Sequence, residues 1–307
     1  MAGSMQMPDW PHFDPDEQEA VQRVLASGRV NYWTGDEGRH LEREYAEHLG
    51  RPHAIVLHNG TVALELALLA LDVGPGDEVI TTPRTFIASA SAVVMRGATP
   101  VLADVDPESG NISAETVAPR ISERTKAIIA VHLGGWPVDM HPLLDLAHSH
   151  GIAVIEDVAQ AHGASIHGEP AGSFGDLAAF SFCQDKIITT GGEGGLLALD
   201  DEAMWRKAWA FKDHGKSYAA IYEREEETVG YTPVYESFGT NWRMAEVNAA
   251  IGRVQLRNSR TGMRGGTRLA RGTRRRSGTS TRCASPGFRT TCGTRTTGRT
   301  CTYVPRP

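Results

Sequence analysis

The sequence predicts an α/β protein built on a mainly parallel sheet. Short apolar segments of strand length recur along the chain, and stretches with the apolar spacing of a helix lie between them. The 307 residues, 40% of them hydrophobic, are enough for one large domain or two modest ones, and no apolar run is long enough to cross a bilayer.

Taken in order, DPDEQEAVQRVLASG opens with acidic residues and a proline, carries Ala20, Val21, Val24 and Leu25 at helical spacing, and stops at Gly28. RHLEREYAEHLG is a second helix. HAIVLHNG then reads as a buried strand running into a glycine turn, and TVALELALLALDVG as the helix that leaves it. GDEVITT, TPVLADV, TKAIIAVHL and GIAVIEDV repeat the short apolar strand, with FIASASAVVMRG and DMHPLLDLAHSHG as helices among them. DLAAFSF and GGLLALD are two further strands, and NWRMAEVNAAIGRVQL is a helix near the end of this body. No solenoid-type repeat is present.

Charge divides the chain in two. All 37 acidic residues precede residue 257, whereas residues 257–307 hold thirteen arginines and neither a lysine nor an acid. Three of the four cysteines also lie in that tail, so a disulfide framework for the body is excluded. The opening residues have neither a basic n-region nor an apolar h-region, which gives a cytoplasmic location as the expectation. The tail lacks helical and strand periods alike. Its Arg, Thr, Gly, Ser, Cys and Pro are what a GC-rich gene yields out of frame: one codon choice for KLPDWHARR, with a single G deleted, translates as Asn258 to Gly265. The expected division is therefore a body over 1–256 and a frameshifted, disordered tail over 257–307. Nucleic-acid binding by a basic tail is the competing reading, but Phe288 and Tyr303 are its only aromatic residues, so no stacking surface accompanies the charge.

Three places in the body carry chemistry. Asn59-Gly60-Thr61 stands between a strand and a helix, where free N–H groups favour an anion such as phosphate, although such turns also serve merely as caps. Glu156-Asp157 ends the strand in GIAVIEDV, at the end of a parallel strand where ligand sites form. A carboxylate buried there needs a cationic partner or several donors, and a protonated heterocycle is one such partner. Lys186 follows AAFSFCQD and precedes a glycine-rich loop. An amine in a partly desolvated pocket is a nucleophile able to form a Schiff base, while a loop lysine without such company is usually only solvated.

With NYWTG, NGTVALELAL, GDEVITTPRTFIAS, GATPVLADVD, TKAIIAVHLGGWPVDM, IEDVAQAHGA, GSFGDLAAFSF, DKIITTGGEGG, KDHGKS and GTNWRM in this order, the chain from Val30 to Leu256 resembles the DegT/StrS-type sugar aminotransferases. The resemblance implies the fold type I architecture of pyridoxal-phosphate enzymes: a large domain with a mainly parallel, seven-stranded mixed sheet between helices, and a smaller C-terminal domain, here truncated or garbled. It implies pyridoxal 5'-phosphate as cofactor and Lys186 as the lysine that binds it covalently and then moves the proton. Asp157 would pair with the pyridinium nitrogen, Gln160 with the phenolic oxygen, and Phe86 would stack on the ring. Gly60, Thr61 and Ser181 would hold the phosphate, joined by Asn241 from the other subunit of a homodimer. His162 and Glu193 lie in the same motifs without an assigned role. The implied reaction passes the amino group of L-glutamate to a keto sugar, usually nucleotide-linked, in polysaccharide or secondary-metabolite biosynthesis. A cyclitol acceptor is the alternative within the family. The retained Lys186 argues against the related dehydratase branch, which has another residue there. Because the arginine-rich tail stands where members carry the rest of the small domain, a catalytically impaired remnant acting as a binding partner is the second reading.

Overall fold

Strand residues pointing alternately to two covered faces explain the near-continuous apolar runs. The computed structural model describes residues 10–223 and 234–259. Its strands are β1 (His53–Leu57), β2 (Glu78–Thr81), β3 (Thr99–Leu102), β4 (Thr125–Val131), β5 (Ala153–Asp157), β6 (Ser165–Ile166), β7 (Glu169–Pro170), β8 (Leu177–Ser181) and β9 (Gly195–Leu199). Seven form one sheet in the order β1-β9-β8-β5-β4-β2-β3. Only β9 runs against its neighbours, pairing antiparallel with β1 and β8, while the remaining pairs are parallel. The mainly parallel, seven-stranded mixed sheet of the sequence reading is therefore present. β6 and β7 make a separate two-stranded ribbon.

The helices are α1 (Pro15–Ser27), α2 (Glu37–Leu49), α3 (Gly60–Ala70), α4 (Ala88–Met95), α5 (Ala114–Val117), α6 (Met140–Ser149), α7 (Glu202–Lys212) and α8 (Tyr218–Tyr222), with a last helical stretch over 246–259. Val79, Ala127, Ile129 and Ile155 pack with α3, α4 and α7, whereas Ile80, Ile128, Ala130 and Val154 pack with α5 and α6. The period-2 alternation thus feeds two cores, one on each face.

Two readings of the sequence need correction. NWRMAEVNAAIGRVQL is helical only from residue 246, because Asn241 bridges to Asp213 and Arg243 to Leu57 in extended pairing. The Glu246 carboxylate then accepts the backbone N–H of Glu37 (2.6 Å) and Gly38 (3.1 Å), a tertiary contact that fixes where the helix starts. Helix α7 was not foreseen, although Asp201 caps it by accepting from Met204 N at 2.7 Å and Ala208 and Trp209 are fully buried. By internal contacts the chain separates into Met1–Leu256 and Arg257–Pro307. The expectation of a disordered tail falls, beyond residue 259, outside the described residues. Among the described residues no helix is long and apolar enough to cross a membrane.

Candidate active site

The carboxyl ends of β1, β2, β4, β5 and β8 meet along one edge of the sheet, and the candidate residues lie on the loops that leave them. At the end of β1, Asn59 caps α3 by accepting from Val62 N at 3.0 Å. The N–H groups of Gly60 and Thr61 in that first turn stay outside the helix's own ladder, as an anion site requires. Gly60 is needed for space: a Cβ there would lie 2.6 Å from the Ser181 Cβ, so the α3 start and the β8 end touch. Cys183 N donates to Ser181 Oγ at 3.4 Å, leaving the hydroxyl proton directed elsewhere.

Adjacent residues at the end of β5 have opposite fates. Glu156 is fully buried and accepts four hydrogen bonds: Gly172 N (2.8 Å), Phe174 N (2.8 Å), Gly175 N (2.7 Å) and His132 Nε2 (2.9 Å). His132 Nδ1 accepts from Val138 N at 3.0 Å, so Nε2 carries the ring's proton. Burial works to raise the Glu156 pKa, but the His132 contact and the backbone donors together bring it below the usual value. This carboxylate is consumed by structure. Asp157, on the other face, is buried with far less support: Ser89 Oγ donates at 2.8 Å and Ala159 N at 3.2 Å. Burial raises its pKa, and those two donors, with the charge of Lys186, only partly offset it. A carboxylate in that condition suits a protonated ring nitrogen.

Lys186, with its side chain 20% exposed, pairs with Asp185 Oδ2 at 3.1 Å, and its charge reaches both Asp157 and His162. Burial acts to raise the Asp185 pKa, and the Lys186 contact overcomes it. Gln160 accepts from Gly134 N at 2.8 Å through Oε1, which turns its NH2 into the donor end. Phe86 is 69% exposed in the loop between β2 and α4, three residues before Ser89. Glu193 Oε1 takes a long contact, 3.9 Å, from Cys183 Sγ. Asn241 is exposed beside Asp213, on a segment that continues into the Leu57 pairing at the β1 edge. Gly60 and Ser181 are thus in contact and Asp157 and Lys186 within electrostatic reach, whereas the bridge of Asn241 is to Asp213.

Sequence reasoning missed Ser89, which FIASASA offered only as a helix residue, and Tyr45, whose hydroxyl meets His162. Neither carries a signal in local spacing, since each meets its partner only through the fold.

Residues 11–265 match the model of the DegT/DnrJ/EryC1/StrS aminotransferase family. A GDP-perosamine synthase from Caulobacter vibrioides is 41% identical over 80% of this chain and 63% of its own length. A UDP-N-acetyl-3-dehydro-alpha-D-glucosamine 3-aminotransferase from Acidithiobacillus ferrooxidans is 40% identical over 80% and 63%. The solved aminotransferase from Psychrobacter cryohalolentis superposes with a TM-score of 0.80 at 56% identity, covering 82% of this chain and 64% of that one. The chain spans less than two thirds of the length of the curated relatives it matches.

Proposed function

The chain belongs to the DegT/DnrJ/EryC1/StrS aminotransferase family, and from that premise we propose that it transfers the amino group of L-glutamate to a nucleotide-linked keto sugar with pyridoxal 5'-phosphate as cofactor. The observation that carries the reading is Asp157: a buried carboxylate at a strand end, held by one hydroxyl and one amide, with its pKa raised by burial. The residues present fit the cofactor. Asp157 would take its ring nitrogen, and Gly60, Thr61 and Ser181 its phosphate. Gln160, with its NH2 as the donor end, would meet the phenolic oxygen, and the exposed ring of Phe86 would cover one face. When bound, pyridoxal phosphate supplies the carbonyl that exchanges oxygen for an amino group and the ring that accepts the electrons released. Lys186 contributes the amine that holds the cofactor and shuttles the proton at the substrate carbon. A homodimer, with Asn241 entering the neighbouring site, completes the proposal. The name of the Acidithiobacillus relative, with its UDP-linked 3-dehydro sugar, supports the substrate class.

The test is direct. Borohydride reduction of the purified chain with pyridoxal phosphate should fix the cofactor on Lys186, read by peptide mass spectrometry, and L-glutamate should release 2-oxoglutarate in proportion to bound cofactor. Labelling elsewhere, or no release from a chain that binds cofactor, would overturn the assignment of Lys186 or of the reaction.

A further inference from the structure

We infer that His162 is a positioning residue: it holds the Ser181 carbonyl, and through it the lysine-bearing loop, at a fixed spacing from the Asp157 end of the site. The inference rests on the pyridoxal-phosphate reading above. His162 follows Asp157 on the loop leaving β5, and Ser181 ends β8 just before the loop that bears Lys186. The imidazole therefore bridges the two loops that would carry the two ends of the cofactor.

Its chemistry is fixed by its partners. Nε2 lies 2.7 Å from the Ser181 carbonyl oxygen, which can only accept, so Nε2 carries the proton. Nδ1 is then the acceptor for the Tyr45 hydroxyl at 2.8 Å. The ring is only 4% exposed and packs against Phe180 and Phe182, with centroids 5.6 and 5.4 Å away. Burial pushes its pKa down to about 4, with the nearby charges of Lys186 and His48 acting in the same direction and the Ser181 carbonyl opposing them. At neutral pH it is a neutral strut with one donor and one acceptor, both used.

Both ends of the strut transmit position. On the β5 side, Val158 N donates to Ala179 O at 2.9 Å and Ala161 N to Val158 O at 2.9 Å, which ties the His162 turn to Asp157. On the β8 side, Phe182 N donates to Gly194 O at 2.8 Å and Thr190 N to Phe182 O at 3.1 Å, clipping the base of the loop that contains Lys186. Ser181 also abuts Gly60, so displacement of its carbonyl would disturb the proposed phosphate cradle together with the lysine loop.

The experiment compares the full chain with His162→Ala and His162→Gln, measuring pyridoxal-phosphate dissociation constants by tryptophan-fluorescence titration and melting temperatures without cofactor. His162→Ala should bind about tenfold more weakly, whereas His162→Gln, whose amide can still donate to Ser181, should stay within about threefold of wild type. If His162→Ala does not fold, His162→Asn, too short to reach Ser181, takes its place with the same expectation. In the cofactor-free chain with 15N-labelled histidine, the resonances lost in His162→Gln should be those of a neutral, Nε2-protonated ring at pH 7. Unchanged affinity in the Ala or Asn variant, or an Nδ1-protonated or charged ring, would overturn the inference. Failure of the wild-type chain to bind pyridoxal phosphate would sink the proposed function and this inference with it. Normal binding by wild type and His162→Ala alike would sink the inference alone.

Discussion

Glu156 and Asp157 are neighbours in sequence and opposites in role, because β-strand alternation sends them to different faces of the sheet. Glu156 meets four donors; Asp157 meets two and keeps a raised pKa. For Asp157, whose folded pKa lies above its unfolded value of 3.8, stability is greatest when it is protonated and is lost as pH rises through the folded pKa. At neutral pH its charge therefore costs stability. Asp157→Asn should melt higher than wild type in the cofactor-free state, by differential scanning calorimetry, while 2-oxoglutarate release slows by about 100-fold or more. A variant that melts lower and reacts normally would contradict both halves. Glu156, with its pKa lowered, has the reverse sign: its contribution is complete above the ordinary glutamate pKa of 4.5 and disappears as pH falls through the depressed value. Glu156→Gln should destabilise the fold by about 3 kcal/mol or more in urea titrations at pH 7, since it turns an amide NH2 toward groups that also donate. Its acid limb should also flatten relative to wild type. The sequence marked both residues as candidates, but only their donors separate them.

Helix α7 ends in a fully buried lysine. Lys212 Nζ sits 3.4 Å from the centre of the Tyr32 ring and 4.8 Å from that of Trp209, and it has no hydrogen-bond partner among the described residues. Burial brings its pKa down to about 8, offset in part by the charges of Glu42 and Asp213. Glu42, half-buried, has its pKa raised by desolvation and accepts from Val56 N at 3.0 Å. With its pKa lowered in the fold, the charge of Lys212 costs stability at pH 7 as that of Asp157 does, so Lys212→Met should raise the melting temperature, read by differential scanning calorimetry. Because the folded pKa of Lys212 lies below its unfolded value of 10.5, the unfolded state holds more protons between about pH 8 and 10.5. Wild type should therefore gain stability relative to Lys212→Met as pH rises across that window; a flat difference would show that Lys212 does not titrate there. This helix was illegible because its apolar residues are interrupted by the charges Arg206, Lys207 and Lys212, and Lys212 is buried only once Tyr32 and Trp209 stack around it.

For the whole molecule, the proposed homodimer predicts complementation between two defective chains. Lys186→Ala lacks the amine and Asn241→Ala lacks the residue proposed to enter the neighbouring site. If each site draws Lys186 from one subunit and Asn241 from the other, an equal mixture assembled together should regain roughly a quarter of the wild-type sites, while each variant alone stays near its own background. No gain on mixing would place Asn241 outside the partner's site. Strand identity and the mainly parallel order were legible, and Gly60, Asp157 and Lys186 stood out as candidates, because each lies at a boundary where apolar periodicity stops and such boundaries are local in sequence; Ser181, inside the apolar run DLAAFSF, was offered only by the resemblance. The start of the last helix, the division of labour between Glu156 and Asp157, and the place of Ser89, Tyr45 and His162 around the site depend on residues far apart in the chain. The sequence by itself determined the sheet and which residue types gather at its carboxyl edge. Only the tertiary structure decided which of those groups are satisfied within the protein and which keep capacity for a ligand, because hydrogen-bond satisfaction and desolvation are set by neighbours in space.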